Sequence, residues 1–388
     1  MVKISLELAK EMAEWRHKIH EHPEFMFDLP ITSAFVAEKL KEWDIEVHEG
    51  IGKSGVVGVL RKGDWQGKKA IGLRADMDCI DLQETGEVPY KSCVPGKMHG
   101  CGHDGHTASL LGAAKYLATE GNFNGTVHFL FQPDEEHGLG ALAMINDGLF
   151  DKFPTDEVYG YHNVPGFEAG SIHMCAGGVM ASENLFTINL IGEGGHASSP
   201  HMLADPVVAL SQVISGLQSI VSRTINPMET VVCSVTEIHT DGARNVVPTK
   251  ITIKGDYRTY TTKNTDLVEQ RMNEIVKGAC EAYNLKGDVH VSREFVVSYN
   301  SEAETIAAGK AAIALLGEDK VNTNGEKKSF SEDFGFFAEK VSGCFVFIGN
   351  GTEGSNGYFL HNPNYDYNDD ILPVAAGFFC QVVEQQLS

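Results

Sequence analysis

The run His99-Gly-Cys101-Gly-His103-Asp104-Gly-His106 gathers three imidazoles and a thiol into one short stretch. A cysteine and a histidine two apart present a thiolate and an imidazole to one cation, and the glycines let the backbone turn tightly around it. The same stretch matches a dinucleotide fingerprint, Gly100-x-Gly102-x-x-Gly105, and Gly50-x-Gly52-x-x-Gly55 matches it again. The second runs into the apolar segment 56–60, where a phosphate loop has to open a helix. The first does open a helix, but its intervening residues are ligands by type and no obvious strand immediately precedes it. Metal chemistry is the better reading.

Gln132-Pro-Asp134-Glu135-Glu136-His137 follows the apolar run 127–131. Three adjacent carboxylates at the end of a buried strand repel one another unless a cation compensates them. A solvated loop is the ordinary alternative. Tyr161-His162-Asn163 and Arg74-Ala-Asp76-Met-Asp78 also follow strand-like runs, and ligand sites in open α/β sheets collect beyond the carboxyl ends of strands. Four polar clusters at strand ends are hard to explain as packing. His361, in Phe359-Leu-His-Asn-Pro, carries little weight alone. His196, in Gly194-Gly-His-Ala-Ser-Ser-Pro, reads equally well as part of a turn. His20, His22, His48, His128, His173, His239 and His290 read as ordinary surface or core histidines.

These clusters need elements to hold them. Leu8, Met12, Trp15 and Ile19 have helical spacing, and a second helix runs through Val36, Leu40 and Trp43 after the polar starters Thr32 and Ser33. Strand-like runs at 56–60, 70–74, 127–131 and 158–161 then alternate with helices near 107–117 and 141–150. That alternation predicts an α/β layer with a mixed, largely parallel sheet flanked by helices. Past residue 181 the order changes to strand 185–191, helix 206–222, strands 230–238 and 249–259, helix 265–283 and strand 289–297. This β-α-β-β-α-β order is the ferredoxin-like α+β unit. A helix at 304–316, a strand at 345–348 and a helix at 372–386 follow. The expected organisation is a discontinuous catalytic domain, 1–181 and 298–388, interrupted by a satellite domain, 182–297.

Composition narrows the partners. The 388 residues hold 31 Lys+Arg against 53 Asp+Glu, a formal charge of −22. A nucleic-acid backbone or an anionic membrane surface needs a basic footprint, so neither is expected as the main partner. No run approaches the roughly 18 unbroken apolar residues of a membrane span. The eight cysteines are scattered without a CxxC pair, and the first residues lack a secretion signal, so a reduced, cytoplasmic protein is expected.

Together the motifs resemble the dinuclear metallo-aminoacylases, a family that includes hippurate hydrolases, auxin-conjugate amidohydrolases and N-acetyl-diaminopimelate deacetylases. The matching blocks are Gly72-Leu-Arg-Ala-Asp-Met-Asp78, Met98-His-Gly-Cys-Gly-His-Asp-Gly-His-Thr107, Phe131-Gln-Pro-Asp-Glu-Glu136, Gly194-Gly-His-Ala-Ser198, Asn245-Val-Val-Pro248, Ser331-Glu-Asp-Phe-Gly335 and Leu360-His-Asn362. They stand in the family's order over essentially the whole chain, and hippurate hydrolases look nearest. The resemblance implies a zinc-peptidase-like catalytic domain holding two divalent metal ions per subunit. Its implied ligands are Cys101, His103, Glu136, His162 and His361. It makes Glu135 the general base, His196 the oxyanion-stabilising histidine of the satellite domain, and Asn245 a substrate contact. It also implies a homodimer, or a dimer of dimers, through the satellite domain. The chain departs from the family at Cys79-Ile-Asp81 and at Asp134. Neither departure touches an implied ligand, and both bear on the rim.

The implied chemistry is hydrolysis of the amide bond of a small N-acyl amino acid. A thiolate with imidazoles and a carboxylate favours zinc on softness, with manganese, cobalt and nickel as open alternatives. N-acetyl-L,L-diaminopimelate or another acylated amino acid remains an alternative substrate, because a few pocket side chains decide it. A serine hydrolase would need a GxSxG elbow, which is absent, as is HExxH. A binding protein descended from the fold would be expected to lose Glu135 or a ligand, and every mapped position is filled.

Overall fold

The computed structural model describes residues 2–388, which fall into two compact units. One comprises the residues up to Val179 with Tyr299–Lys327 and Glu332–Ser388; the other comprises Met180–Ser298 and Lys328–Ser331. The four residues Lys328–Ser331, read from sequence as part of the first domain, thus lie in the second unit. There Lys328 accepts from Ala181 N–H (3.2 Å) and from Tyr260 Oη (3.0 Å), and Arg258 donates to Ser331 Oγ (3.0 Å). Among the described residues no helix is long and apolar enough to cross a membrane.

The first unit is built on an eight-stranded mixed sheet. Its order is Glu46–Ile51, Gly55–Lys62, Gly125–Gln132, Ala70–Asp76, Glu157–Pro165, Ser342–Gly351, Ile172–His173 and Val321–Asn322. The central pairings (Gly125–Gln132 with Ala70–Asp76, that strand with Glu157–Pro165, and the last with Ser342–Gly351) are all parallel. Gly125–Gln132 and Ala70–Asp76 are buried at every position, the pattern of strands covered on both faces. Each fully buried Val, Leu, Ile or Phe side chain here contributes about 1.5–3 kcal/mol relative to exposure. Helices Leu6–Glu21, His103–Thr119 and Leu372–Gln386 pack against one another beside the sheet.

Three local departures from the sequence reading have physical causes. The second helix starts at Pro30 rather than after Ser33, because the Glu24 carboxylate accepts from the N–H groups of Ile31 and Thr32 at 2.9 and 2.7 Å. The helix expected at 141–150 is two pieces, Gly140–Asn146 and Leu149–Lys152, separated by Gly148 at φ 81°. The helix expected from 107 begins at His103, so the cysteine–histidine motif sits at its amino end rather than ahead of it.

The second unit carries a four-stranded antiparallel sheet in the order Val231–Thr240, Lys250–Thr259, Glu183–Ile191, Lys286–Phe295. Burial alternates along Glu183–Ile191, and helices Pro206–Ser219 and Thr262–Ala282 supply Val213, Leu217, Val268 and Met272 to the core on one face. This is the ferredoxin-like arrangement. Its edge strands are Val231–Thr240 and Lys286–Phe295.

Candidate metal centre

The site of the first unit lies where three parallel strands end and one helix begins. Ala70–Asp76 leads into Asp78, Gly125–Gln132 into Glu135 and Glu136, and Glu157–Pro165 carries His162. Gly102, at φ 90°, turns the chain from Cys101 into the first turn of helix His103–Thr119. The amino end of the helix favours negative charge in its first turn, which suits Asp104.

These side chains meet in two triads. Cys101, His103 and His162 form one, and Cys101, Glu136 and His361 form the other; within each triad the candidate ligand atoms lie within 4.8 Å of one another. Cys101 is common to both. Its Sγ lies 3.4 Å from His162 Nε2, and His361 Nε2 lies 3.3 Å from Glu136 Oε2. His103 Nδ1–H donates to the Asp78 carbonyl at 2.9 Å, which turns Nε2 toward Asp76, Glu135 and Glu136 at 3.8–3.9 Å. His162 Nδ1–H donates to the Asn163 carbonyl at 2.7 Å. Each imidazole thereby presents one nitrogen to the cluster, as metal-binding histidines do.

The electrostatics call for a cation. His103 Nε2 and Glu136 Oε1 are buried with no hydrogen-bond partner. Burial, reinforced by Glu136, Glu135 and Asp76, holds the Cys101 thiol well above its ordinary value, so the protein groups alone disfavour a thiolate there. Burial and the charges of Glu332, Glu136, Asp333 and Asp76 push the Glu135 carboxyl well up as well. Burial also raises Glu136, but the hydrogen bond from His361 and the charges of His103 and His361 outweigh it and carry Glu136 below its ordinary value. The two adjacent carboxyls are thus driven apart, the arrangement expected of one proton carrier and one permanent anion. A thiol, three imidazoles and a carboxylate fit one or two borderline-soft divalent cations.

Asp134 does not join its neighbours. At φ 47° it turns away, and its carboxylate pairs with His137 Nδ1 at 2.8 Å. The sequence-level cluster of three acids is therefore two acids at the site and one beside it. His196 and Asn245 lie in the second unit, on a two-stranded ribbon where His196 pairs with Val246 and Ala197 N–H donates to the Asn245 carbonyl at 3.1 Å. His196 Nδ1 accepts from Ser198 N–H at 3.2 Å, which leaves the ring proton on Nε2.

Sequence reasoning gave no role to Glu332 and Asp333, although it quoted the block that contains them. They ion-pair with the buried Arg74 guanidinium at 2.7 and 2.8 Å, and their carboxylates lie within 4.8 Å of Glu135. The signal was an acidic pair in an otherwise apolar stretch, Ser331-Glu-Asp-Phe-Gly-Phe-Phe.

The chain is similar to known proteins over nearly its whole length. Residues 72–385 match the model of peptidase family M20/M25/M40. The chain is 42% identical to a hippurate hydrolase of Campylobacter jejuni over 98% of either chain. It is 34% identical to an N-acetylcysteine deacetylase of Bacillus subtilis, covering 95% of this chain and 94% of that one. The crystal structure of Bacillus subtilis YXEP, described as a dinuclear metal-binding peptidase of the M20 family, superposes with a TM-score of 0.86 at 28% identity, covering 99% of each chain.

Proposed function

The chain belongs to peptidase family M20/M25/M40, and from that premise we propose that it hydrolyses the amide bond of N-acyl amino acids of the hippurate type, releasing a carboxylic acid and a free amino acid. The observation that carries this reading is the pair of triads sharing Cys101 with Glu135 beside them. In this reading Cys101, His103 and His162 would hold one divalent cation, and Cys101, Glu136 and His361 would hold a second. Zinc suits the donor set best, with manganese, cobalt and nickel as the other candidates. Bound there, two such cations lower the pKa of a water and polarise the scissile carbonyl.

The protein's own groups do the rest. Glu135, raised by its buried and acidic surroundings, takes the proton of the attacking water and returns it to the leaving amine. His196, with its proton on Nε2, donates to the developing oxyanion, and Asn245 contacts the substrate. Because His196 and Asn245 lie on a unit with two edge strands, we place them in a homodimer formed through that unit, where pairing would cover an edge. Eight free cysteines suit a reducing, cytoplasmic setting.

A substrate panel on zinc-reconstituted protein tests the reading. Hippurate should be hydrolysed faster than N-acetyl amino acids and N-acetyl-L,L-diaminopimelate. Faster turnover of N-acetylcysteine or of the diaminopimelate compound would replace the proposed substrate, and no hydrolysis of any would remove the activity.

A further inference from the structure

Behind the first triad lies a buried polar chain that the proposed reaction does not use. His106 Nδ1–H donates to Asp76 Oδ1 at 2.6 Å. Its Nε2 meets Asn163, 3.2 Å from the backbone N–H and 2.9 Å from Oδ1. The Asn163 amide donates to Tyr365 Oη at 2.5 Å. Asp76, His106, Asn163 and Tyr365 are all buried. At the far end Arg74 Nη1 donates to Asp76 Oδ2 at 2.7 Å, and Thr107 Oγ donates to the Asp76 carbonyl at 2.7 Å, tying the strand end to the helix start.

This chain reaches all three members of the triad. Asp76 Oδ2 lies 3.8 Å from His103 Nε2. The Asn163 carbonyl accepts from His162 Nδ1–H at 2.7 Å and so sets the orientation of that ring. A Cβ placed on Gly102 would fall against Asn163 Oδ1 and Tyr365 Oη, so those two groups abut the turn that joins Cys101 to His103. The His106 ring itself lies 5.5 Å from His103 and 4.6 Å from His162, centroid to centroid. Stability alone does not require such a polar chain, since well-packed apolar groups often replace buried ion pairs without loss.

We propose that His106, held by Asp76 and Asn163, is a positioning residue for the Cys101–His103–His162 triad, fixing the ring of His162 and the turn at Gly102 so that the three donors converge. The proposal rests on the reading of those three residues as metal ligands. His106 touches neither cation nor substrate in this account. Its effect appears as metal affinity.

The test uses full-length protein stripped with chelator and titrated with Zn(II) against a chromophoric competitor. His106→Phe keeps the ring volume and removes both polar contacts, and should weaken Zn(II) binding by about 10–100-fold, the usual cost of losing such outer support. His106→Asn restores an N–H toward Asp76 and should recover part of that loss, which a purely volumetric role would not. If His106→Phe does not fold, Asp76→Asn keeps the side-chain size, removes the anionic acceptor and should weaken binding by the same order. Wild-type affinity for both Zn(II) equivalents in a folded His106→Phe or Asp76→Asn protein overturns the positioning role. Failure of the unsubstituted protein to bind Zn(II) overturns the ligand reading itself, and the two results are distinct.

Discussion

His361 Nε2 stands 3.3 Å from Glu136 Oε2, and the loop that carries it is docked by the His361 N–H donating to the Gly100 carbonyl at 2.8 Å. His361 holds φ at 64°, a conformation uncommon for a residue with a side chain. Residues far apart in sequence are thus brought together beside Cys101, while Glu135, which like Glu136 lies 3.9 Å from His103 Nε2, also lies beside Glu332 and Asp333.

On the proposed function the two neighbouring glutamates have separate roles, Glu135 as general base and Glu136 as metal ligand. Glu135→Gln should lower kcat by about 10²–10⁴, the usual value of general-base work, while retaining bound metal. Glu136→Gln should lose metal as well as activity. Metal analysis alongside steady-state kinetics checks both, and a metal-free Glu135→Gln beside a metal-replete Glu136→Gln would reverse the assignment.

Cys101 should be protected from alkylation while metal is bound and become reactive once chelator removes it. Cys93, the exposed cysteine, provides the internal control because it should react in both states. Peptide mapping after iodoacetamide reads the outcome. Equal labelling of Cys101 with and without chelator would remove it from the ligand set.

His20 gives a pH dependence whose sign is opposite to ordinary acid unfolding. Burial disfavours its charged form, but the hydrogen bonds to Asp104 and Glu84 outweigh burial and raise its pKa to about 9. A pKa raised in the folded state contributes stability that is fully present below the unfolded value near 6.5 and is lost as pH rises through about 9. His20→Gln should therefore lower Tm most at pH 6, and the gap to the unsubstituted protein should shrink by pH 9.5. A gap that is constant across that range would show that the imidazolium charge contributes nothing.

We propose further that, in the homodimer, His196 of one subunit completes the site of the other, and complementation tests this. Glu135→Ala and His196→Ala proteins should each be inactive. Mixed and allowed to exchange subunits, they should regain activity, since one site of a hybrid then has an intact base from one chain and an intact histidine from the other. Verified exchange without returning activity would confine His196 to its own chain or to the turn it shares with Ser198.

The sequence by itself determined what is local. Helical spacing located Leu6–Glu21 and Leu372–Gln386, apolar runs located the buried strands, and the order of elements from 183 to 295 specified the ferredoxin-like unit. It also determined the donor types near the strand ends, because the donor atoms a residue carries are fixed by its identity. Only the tertiary structure decided which donors meet. Cys101 belongs to two triads because parallel strands bring Glu136 and His162 beside one helix start, and because a distant loop adds His361. Asp134 leaves the acidic run through a positive φ that composition does not reveal, and Asp76 meets His106 only after the sheet and helix have packed. Periodicity and propensity are set by neighbours a few residues apart. Partner choice in a buried polar site is set by long-range register and packing, which no short window of sequence contains.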